Sequence, residues 1–283
     1  MALGRERRAA GRVDLHVHST ASDGAWSPTA VVRAAAAAGL TVLAVADHDT
    51  TAGVREAQAA GARCGVEVIP ALEVTARDGS LEVHLLGYGV DLDAPALRAL
   101  EERAAQARRA RVTAMLDRLE ALGCPVTWEA VAAAAGGAVS VGRPHVARAM
   151  VAAGWVPTVD EAFARYLGEG RPAFVAGAFP SVAEAIAAIR AANGLAVWAH
   201  PPLEGLVPRW RRYRAWGLAG VEVWRPEVDP GWAERMARWA LSDGLVVTGG
   251  SDWHRPGWRA IGDFDVAAAR LARFWERLAC ACS

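Results

Sequence analysis

The sequence predicts an α/β protein whose chain is interrupted by an all-helical insertion. Short apolar segments alternate with helical patterns in residues 13–96 and again in residues 173–283, as strands and helices do along an α/β chain. Residues 97–172 carry helical patterns and no strand pattern. Histidines and carboxylates follow the apolar segments, and α/β proteins build their sites at the carboxyl ends of strands. We therefore expect one α/β domain in two stretches, with a helical insertion at 97–172.

The part before the insertion is predicted from its periodicity and its helix-end residues. A strand begins at Val13, Ser27-Pro28 starts a helix at Thr29–Ala38, and Gly39 ends it, because proline is favoured in the first turn and glycine just after the last. The other elements here are strands at Thr41–Ala46, Val66–Val74 and Leu81–Tyr88 and a helix at Thr51–Arg63.

The insertion is predicted to contain four helices, and the strand and helix alternation returns after it. The insertion helices are Pro95–Leu122, Thr127–Ala135, Arg143–Ala153 and Thr158–Leu167. Later come a helix at Val182–Ala192, strands at Leu195–Ala199 and Gly220–Val223, a helix at Pro230–Ser242 and a last strand at Leu245–Thr248.

The composition excludes several kinds of site. All 31 basic residues are arginine and there are 31 acidic residues. A Schiff-base lysine and a lysine-bearing phosphate loop are thereby ruled out, and no net field attracts nucleic acid. The cysteines form no C-x-x-C pair, so we expect reduced thiols in a cytoplasmic protein, at Cys64, Cys124, Cys280 and Cys282. Residues 1–12 resemble neither a signal peptide nor an anchor, and no membrane span is expected.

A histidine and carboxylate constellation is the main functional signal. His16 and His18 lie two residues apart on a predicted strand, so both side chains point to one face. Taken alone, such a pair fits equally well a strand whose histidines are satisfied by hydrogen bonds. Six of the seven histidines, however, stand on or just after predicted strands. With three carboxylates they make nine donors, too many for one ion and suited to two or three. The nine are His16, His18, Asp23, His48, Glu73, His84, His200, Asp252 and His254.

These residues lie in motifs that resemble those of the PHP (polymerase and histidinol phosphatase) superfamily, in the same order. The motifs are His16-Val17-His18, Asp47-His48-Asp49, Glu73, His84, Ala199-His200-Pro201 and Ser251-Asp252-Trp253-His254. The resemblance implies a distorted (β/α)7 barrel with a trinuclear metal site at its strand ends. It implies one ion at His16, His18, Glu73 and Asp252, a second at Glu73, His84 and His200, and a third at Asp23, His48 and His254.

Gly142-Arg143-Pro144-His145, inside the insertion, is similar to a motif of the PHP branch that contains nucleotide phosphatases and 5′-3′ trimming RNases. Arg143 can bind phosphate bidentately, and His145 can contact phosphate or donate a proton, so we predict that both are catalytic and that the insertion caps the substrate. The alternative is a capped helix start with Arg143 in a surface ion pair. Ala176-Gly177-Ala178 stands where family members often carry another arginine.

Three further features of the sequence receive supporting or structural interpretations. Arginines alternate with aromatic residues in Arg209–Arg214, a pattern that binds single-stranded nucleic acid but is more often a solvated helix face with aromatics packed inward. Asp47 and Asp49 flank a predicted ligand and should orient it. Cys280 and Cys282 are two thiols without further ligands, so we expect them to be inert.

We expect, then, a metal-dependent phosphoesterase in which a metal-bridging hydroxide attacks the phosphorus of a nucleotide phosphomonoester, of the AMP or 3′,5′-bisphosphonucleotide type. Short single-stranded RNA is a further expected substrate. The cofactors are two or three Mn²⁺, Fe²⁺ or Zn²⁺ ions. The alternatives are a histidinol-phosphate phosphatase, a catalytically silent metal-binding PHP module, or an amidohydrolase-like enzyme, which would usually need a lysine.

Overall fold

The computed structural model describes residues 10–203, 205–257 and 259–281. Its strands are β1 (Arg12–Val17), β2 (Val42–Val45), β3 (Glu67–Asp78), β4 (Leu81–Tyr88), β5 (Leu195–Trp198), β6 (Gly220–Trp224), β7 (Val246–Gly249) and β8 (Val266–Ala267). Its helices are α1 (Pro28–Ala37), α2 (Val54–Cys64), α3 (Pro95–Ala121), α4 (Trp128–Ala135), α5 (Arg143–Ala152), α6 (Val159–Ala162), α7 (Val182–Ala191), α8 (Leu206–Ala215), α9 (Pro230–Ser242) and α10 (Ala272–Ala281).

The strands form one sheet in the order β7-β6-β5-β4-β3-β2-β1-β8 that nearly closes into a barrel. Strands β1 to β3 are parallel, as are β5 to β7. Strand β4 runs antiparallel to both of its neighbours, and the short β8 runs antiparallel to β1. Val17, at the end of β1, bridges Trp253, which follows β7. The predicted distorted barrel is confirmed, and the reversal of β4 is its main distortion.

Local residue types account for the ends of several elements. Ser27 caps α1, where its hydroxyl oxygen accepts from the backbone N–H of Ala30. Gly65 ends α2 with a φ of 75°, a conformation that costs glycine little. All four residues of β2 are buried, as expected for a parallel strand covered on both faces. These elements agree with the prediction to within a few residues at each end.

The predictions for the end of the chain need correction. The strand at 245–248 is not the last, because β8 follows it; two residues are too few for alternation to show. A 3₁₀ turn at Ala268–Leu271 and helix α10 then close the described chain, and neither is predicted. The predicted helix at 158–167 divides into α6 and a π-helical turn, Phe163–Leu167.

The described residues form three apolar centres. The largest lies in the barrel, a second runs from Val112 to Ala173 within the helical segment, and a third packs α1 and α2 against β1 and β2. Helix α3 has 27 residues, about 40 Å at the usual rise, and joins the first two: Leu97 and Leu100 pack in the barrel core, and Met115 in the second centre. The division of the chain at residues 97 and 172 stays a prediction.

Membrane insertion and disulfide bonding find no support in the described residues. No helix among them combines the length and apolarity that a membrane span requires. Cys64, Cys124 and Cys280 are free thiols. Cys282 lies outside the described part of the chain.

Candidate metal centre

His16, on β1, and His18, just after it, form the floor of a polar cluster at the rim of the barrel. His16 and His18 are fully buried, and their Nε2 atoms lie 3.2 Å apart, as the strand alternation predicts. His18 also stacks on His254, with ring centroids 4.0 Å apart. The pair therefore points into one site together with a residue from the far end of the chain.

The structure brings all nine predicted ligands to this rim. Three groups each offer donor atoms within 4.8 Å of one another: His16, His18, Glu73 and Asp252; His18, Asp23, His48 and His254; and His48, Glu73 and His84. His200 joins them, because its Nε2 lies 2.7 Å from Oε1 of Glu73 and 3.2 Å from Nδ1 of His84. The assignment of each residue to one ion stays a prediction.

Glu73 is the centre of the cluster. It is fully buried on β3, and its two carboxylate oxygens face histidines on opposite sides. The distances are 3.1 Å from Oε1 to His84, 2.7 Å from Oε1 to His200, and 3.3, 3.3 and 3.0 Å from Oε2 to His16, His18 and His48. One carboxylate in this position can bridge two cations and offset their repulsion.

Several donor atoms lack a partner, as expected of a metal site. Among the described residues, Nδ1 of His18, Nδ1 of His48 and Oε2 of Glu73 are buried and accept or donate no hydrogen bond. Each such atom costs about 1–3 kcal/mol, so three together indicate that a group belongs between them. Imidazole and carboxylate donors suit Mn²⁺, Fe²⁺ or Zn²⁺. The residues therefore fit the ions that the motifs imply.

The electrostatics of the cluster also favour cations. Burial alone would raise the pKa values of Glu73 and Asp252, but the neighbouring histidines hold both below their ordinary range. Burial lowers the pKa of His18, yet the carboxylates of Asp252 and Glu73 raise it to about 10. With both acids ionised, protons and metal ions compete for the histidine nitrogens, and a bound ion would displace the protons.

Backbone conformation adapts the strand ends to the site. His200 and Asp252 have positive φ angles of 28° and 53°, which non-glycine residues rarely adopt and which cluster at functional sites. A Cβ on Gly250 would lie 2.5 Å from the backbone nitrogen of His16. Only glycine at 250 allows the chain after β7 to approach β1 so closely.

Two buried carboxylates that the sequence analysis missed support the ligands from below. Oε1 of Glu222 accepts from Nδ1 of His16 at 3.0 Å, and Oε2 accepts from the backbone N–H of His200 at 2.8 Å. Oδ1 of Asp14 accepts from the N–H groups of His16 and Ser251 at 3.2 and 2.9 Å. The bond from Glu222 to the ring can fix the tautomer and direction of His16 as a metal ligand, whereas Asp14 fixes the backbone on which His16 and Ser251 lie. The sequence signal that could have identified each of them was a single acidic residue in an otherwise apolar strand.

Asp47 and Asp49 hold loops at the rim. Oδ1 and Oδ2 of Asp47 accept from the backbone N–H and hydroxyl of Ser19 at 2.7 and 2.6 Å, and Oδ1 accepts from the hydroxyl of Ser22 at 2.6 Å. The loop that carries Asp23 is thereby fixed. Asp49 accepts from the N–H of Thr75 at 2.6 Å and pairs with an arginine of α3.

Three arginines from the helical segment form a wall beside the cluster. Arg143 and Arg111 hold the two oxygens of Glu82 at 2.8 and 3.1 Å, while Nε of Arg108 lies 2.6 Å from Oδ2 of Asp49. Together they line a cavity of about 90 Å³ that also reaches Asp23, His48 and His84. Arg143 thus forms an ion pair, as the alternative interpretation of the motif proposed, but this pair lines the cavity. Arg108 and Arg111 were not predicted.

His145 does not reach this cavity. It is fully buried; its Nδ1 accepts from the N–H of Gly142 at 3.0 Å, and its Nε2 donates to the carbonyl of Ser22 at 3.1 Å. Burial and the charge of Arg148 lower its pKa to about 4. In this geometry it has no free nitrogen for a phosphate. It ties α5 to the loop of Asp23.

The basic stretch Arg209–Arg214 lies on α8. Trp210 and Tyr213 are fully buried, Arg211 pairs with Asp243 at 2.8 Å, and Arg212 pairs with Asp78. The aromatic residues therefore pack inward, as the alternative reading proposed. A role in nucleic-acid binding stays untested.

Comparison with known proteins identifies the family. The PHP domain matches residues 14–118. The 5′-3′ exoribonuclease of Haemophilus influenzae is 38% identical over 272 residues, 94% of this chain and 98% of that protein. The chain belongs to the PHP family. The 3′,5′-nucleoside bisphosphate phosphatase of Chromobacterium violaceum is 35% identical over 253 residues, 87% of this PHP chain and 88% of that protein.

A crystal structure agrees. A Bifidobacterium adolescentis protein classed as a metal-dependent phosphoesterase superposes with a TM-score of 0.83 and 33% identity, over 96% of both chains. This PHP protein is accordingly a hydrolase of phosphoric esters.

Proposed function

We propose that this PHP protein releases phosphate from nucleotide phosphomonoesters, of the AMP or nucleoside 3′,5′-bisphosphate type. The observation that carries the proposal is the arginine-lined cavity directly beside the nine-donor cluster. A phosphatase for a small neutral alcohol needs one phosphate site. Here a second anion site adjoins the first, as a nucleotide with two phosphates requires.

The cluster supplies the hydrolytic chemistry. His16, His18, Glu73 and Asp252 would hold one ion, Glu73, His84 and His200 a second, and Asp23, His48 and His254 a third. Divalent ions in such a site polarise phosphoryl oxygens and lower the pKa of a bound water. Glu222 keeps the ring of His16 aimed at the cluster, and Asp14 holds the backbone beneath it.

The arginines supply binding and orientation. Arg143 and Arg111 are held in the cavity by Glu82, on whose carboxylate both guanidinium groups converge. A planar guanidinium binds phosphate through two parallel hydrogen bonds, so an incoming phosphate can share or replace Glu82. Nη2 of Arg111 is buried without a hydrogen-bond partner among the described residues.

Trimming of short 5′-phosphorylated RNA from its 5′ end is the second candidate. Its support is the relative named as a 5′-3′ exoribonuclease, which covers nearly the whole chain. The complete donor set argues against a silent metal-binding module. The arginine wall argues against histidinol phosphate, because the guanidinium groups would repel its cationic amine.

A phosphate-release screen tests the proposal. The purified protein is loaded with Mn²⁺, Fe²⁺ or Zn²⁺ in turn and given AMP, a nucleoside 3′,5′-bisphosphate and histidinol phosphate, with release of phosphate measured. It is also given 5′-phosphorylated oligoribonucleotides, with release of mononucleotides measured. We expect the highest kcat/KM on a nucleotide. A preference for histidinol phosphate, or no release from any nucleotide by metal-replete protein, would refute the proposal.

A further inference from the structure

The loop that carries Asp23 leaves the barrel before it returns to the metal centre. Asp23 lies six residues beyond Val17, the end of β1, and is farther from its strand than any other predicted ligand. Its side chain is nevertheless buried. Its carboxylate oxygens lie 3.8, 3.9 and 3.4 Å from nitrogens of His18, His48 and His254. Strand β1 cannot fix a carboxylate at this distance along the chain, so the loop depends on contacts from elsewhere.

The helical segment makes those contacts through the backbone of the loop. Three successive carbonyls, at residues 21–23, accept hydrogen bonds from it. The first accepts from the N–H groups of Val139 and Ser140 at 3.0 and 3.1 Å. The second accepts from Nε2 of His145 at 3.1 Å, and the third accepts from Nη2 of Arg148. We call these four donor residues the carbonyl clamp.

Helix α5 links the carbonyl clamp to the arginine cavity. His145 and Arg148 are three positions apart, so they lie on one face of the helix, and both reach the loop. Arg143, in the first turn, instead pairs with Glu82 in the cavity. One helix of ten residues therefore contacts both the cavity and the backbone of a predicted metal ligand.

We propose that the helical segment completes the metal centre, with His145 and Arg148 as positioning residues for Asp23. They hold the loop so that the carboxylate faces His48 and His254, and binding of the ion at these three residues depends on them. The inference rests on the ligands assigned under the proposed function, and it is independent of which phosphoester is the substrate.

Charge and positioning predict opposite results when Arg148 is replaced. Removing a cation beside a metal site would by charge alone tighten metal binding, whereas releasing the loop weakens it. Arg148→Met keeps an unbranched side chain of similar length without its donors. We expect it to bind one ion about 10- to 100-fold more weakly and the other ions as the wild type does. Titration of the metal-free protein with Mn²⁺ against a chelator, with elemental analysis of the bound ions, measures both.

The control and the second variant use the same segment. Arg165→Met breaks an exposed pair with Glu161 and should leave every affinity unchanged. His145→Asn can still accept from the N–H of Gly142, but its amide is too short to reach the loop carbonyl. Because the pKa of His145 is about 4, this change removes no charge near neutral pH. We expect it to weaken the same single ion, and it decides the question if Arg148→Met does not fold.

A double variant tests whether Arg148 acts through Asp23. Asp23→Asn weakens the ligand directly, so adding Arg148→Met to it should change the remaining affinities by less than about twofold. The inference is overturned if a folded variant of Arg148 or His145 binds every ion as tightly as the wild type, or binds all of them equally weakly. Unchanged metal binding in Asp23→Asn would overturn it at the ligand assignment. The phosphate-release screen is separate from these titrations, so nucleotide hydrolysis by the wild type would leave the proposed function standing in each case.

Discussion

The metal centre and the arginine wall line the same small cavity but are built differently. The metal centre is made of short side chains at the ends of buried strands; below it, Glu222 fixes the ring of His16, and Asp14 holds the backbone of His16 and Ser251. The arginine wall is made of long side chains on helices α3 and α5, held by Glu82 and Asp49. On the proposed function, the barrel supplies the chemistry and the arginines of α3 and α5 supply the choice of substrate.

Replacing the carboxylate of Glu73 should impair the metal centre, so turnover should fall on every substrate. Glu73→Gln keeps the size but removes the charge that offsets cation repulsion, so turnover should fall by at least ~10²-fold. Elemental analysis should show fewer than the two or three ions expected of the metal-replete wild type. Near wild-type turnover would mean that Glu73 bridges nothing.

Loss of an arginine should instead separate substrates. Arg143→Ala removes a charged hydrogen-bond partner worth about 1.5–3 kcal/mol, so kcat/KM for a nucleoside bisphosphate should fall by roughly 10- to 200-fold. A small aryl phosphate should lose much less, and the metal content should not change. Arg103→Ala, on α3 of the same helical segment and paired with Glu184 at the surface, is the control. Equal losses on both substrates would place Arg143 in the fold or the metal site.

The support beneath the metals can be tested apart from turnover. Glu222→Gln leaves the shape of the site but no longer holds the Nδ1–H of His16 with a charge, so affinity for the metal should fall by about 10- to 100-fold. A competition titration with a chelator measures this directly. Glu227→Gln, at an exposed residue five positions later, should leave metal affinity unchanged. Unchanged affinity in Glu222→Gln would deny the support role.

The smallest expected effect concerns the contact between the two regions. The pKa of His145 is about 4 in the folded protein, below its ordinary 6.5, so between these pH values the unfolded state binds a proton that the folded state does not. The free energy of unfolding should therefore decrease as pH falls from 6.5 to 4. His145→Gln should flatten this dependence in urea unfolding curves. A steeper dependence in the variant would contradict the neutral, buried imidazole.

Sequence reasoning predicted the metal side far better than the arginine side. Histidines at strand ends are easy to recognise, because strand alternation fixes the direction of their side chains and a purely structural role seldom places so many of them there. Helix α3 carries arginines at many positions, and only its docking on the barrel decides that Arg108 and Arg111 face the site. His145 was assigned from a motif, which reports that a residue matters without reporting which of its atoms are free. Glu222 looked like any acid on a strand.

The closure of β7 onto β1 has a consequence for biosynthesis. The N–H of Asp252 donates to the carbonyl of His16 at 2.8 Å, and the N–H of His18 donates to the carbonyl of Trp253 at 2.9 Å. Adjacent backbone hydrogen bonds thus join predicted metal ligands that are far apart in the sequence. Since translation proceeds from the amino terminus, the ribosome exposes His16 long before it makes residue 252. A nascent or prematurely terminated chain therefore holds an incomplete cluster, and cannot hydrolyse nucleotides until almost all of its barrel exists.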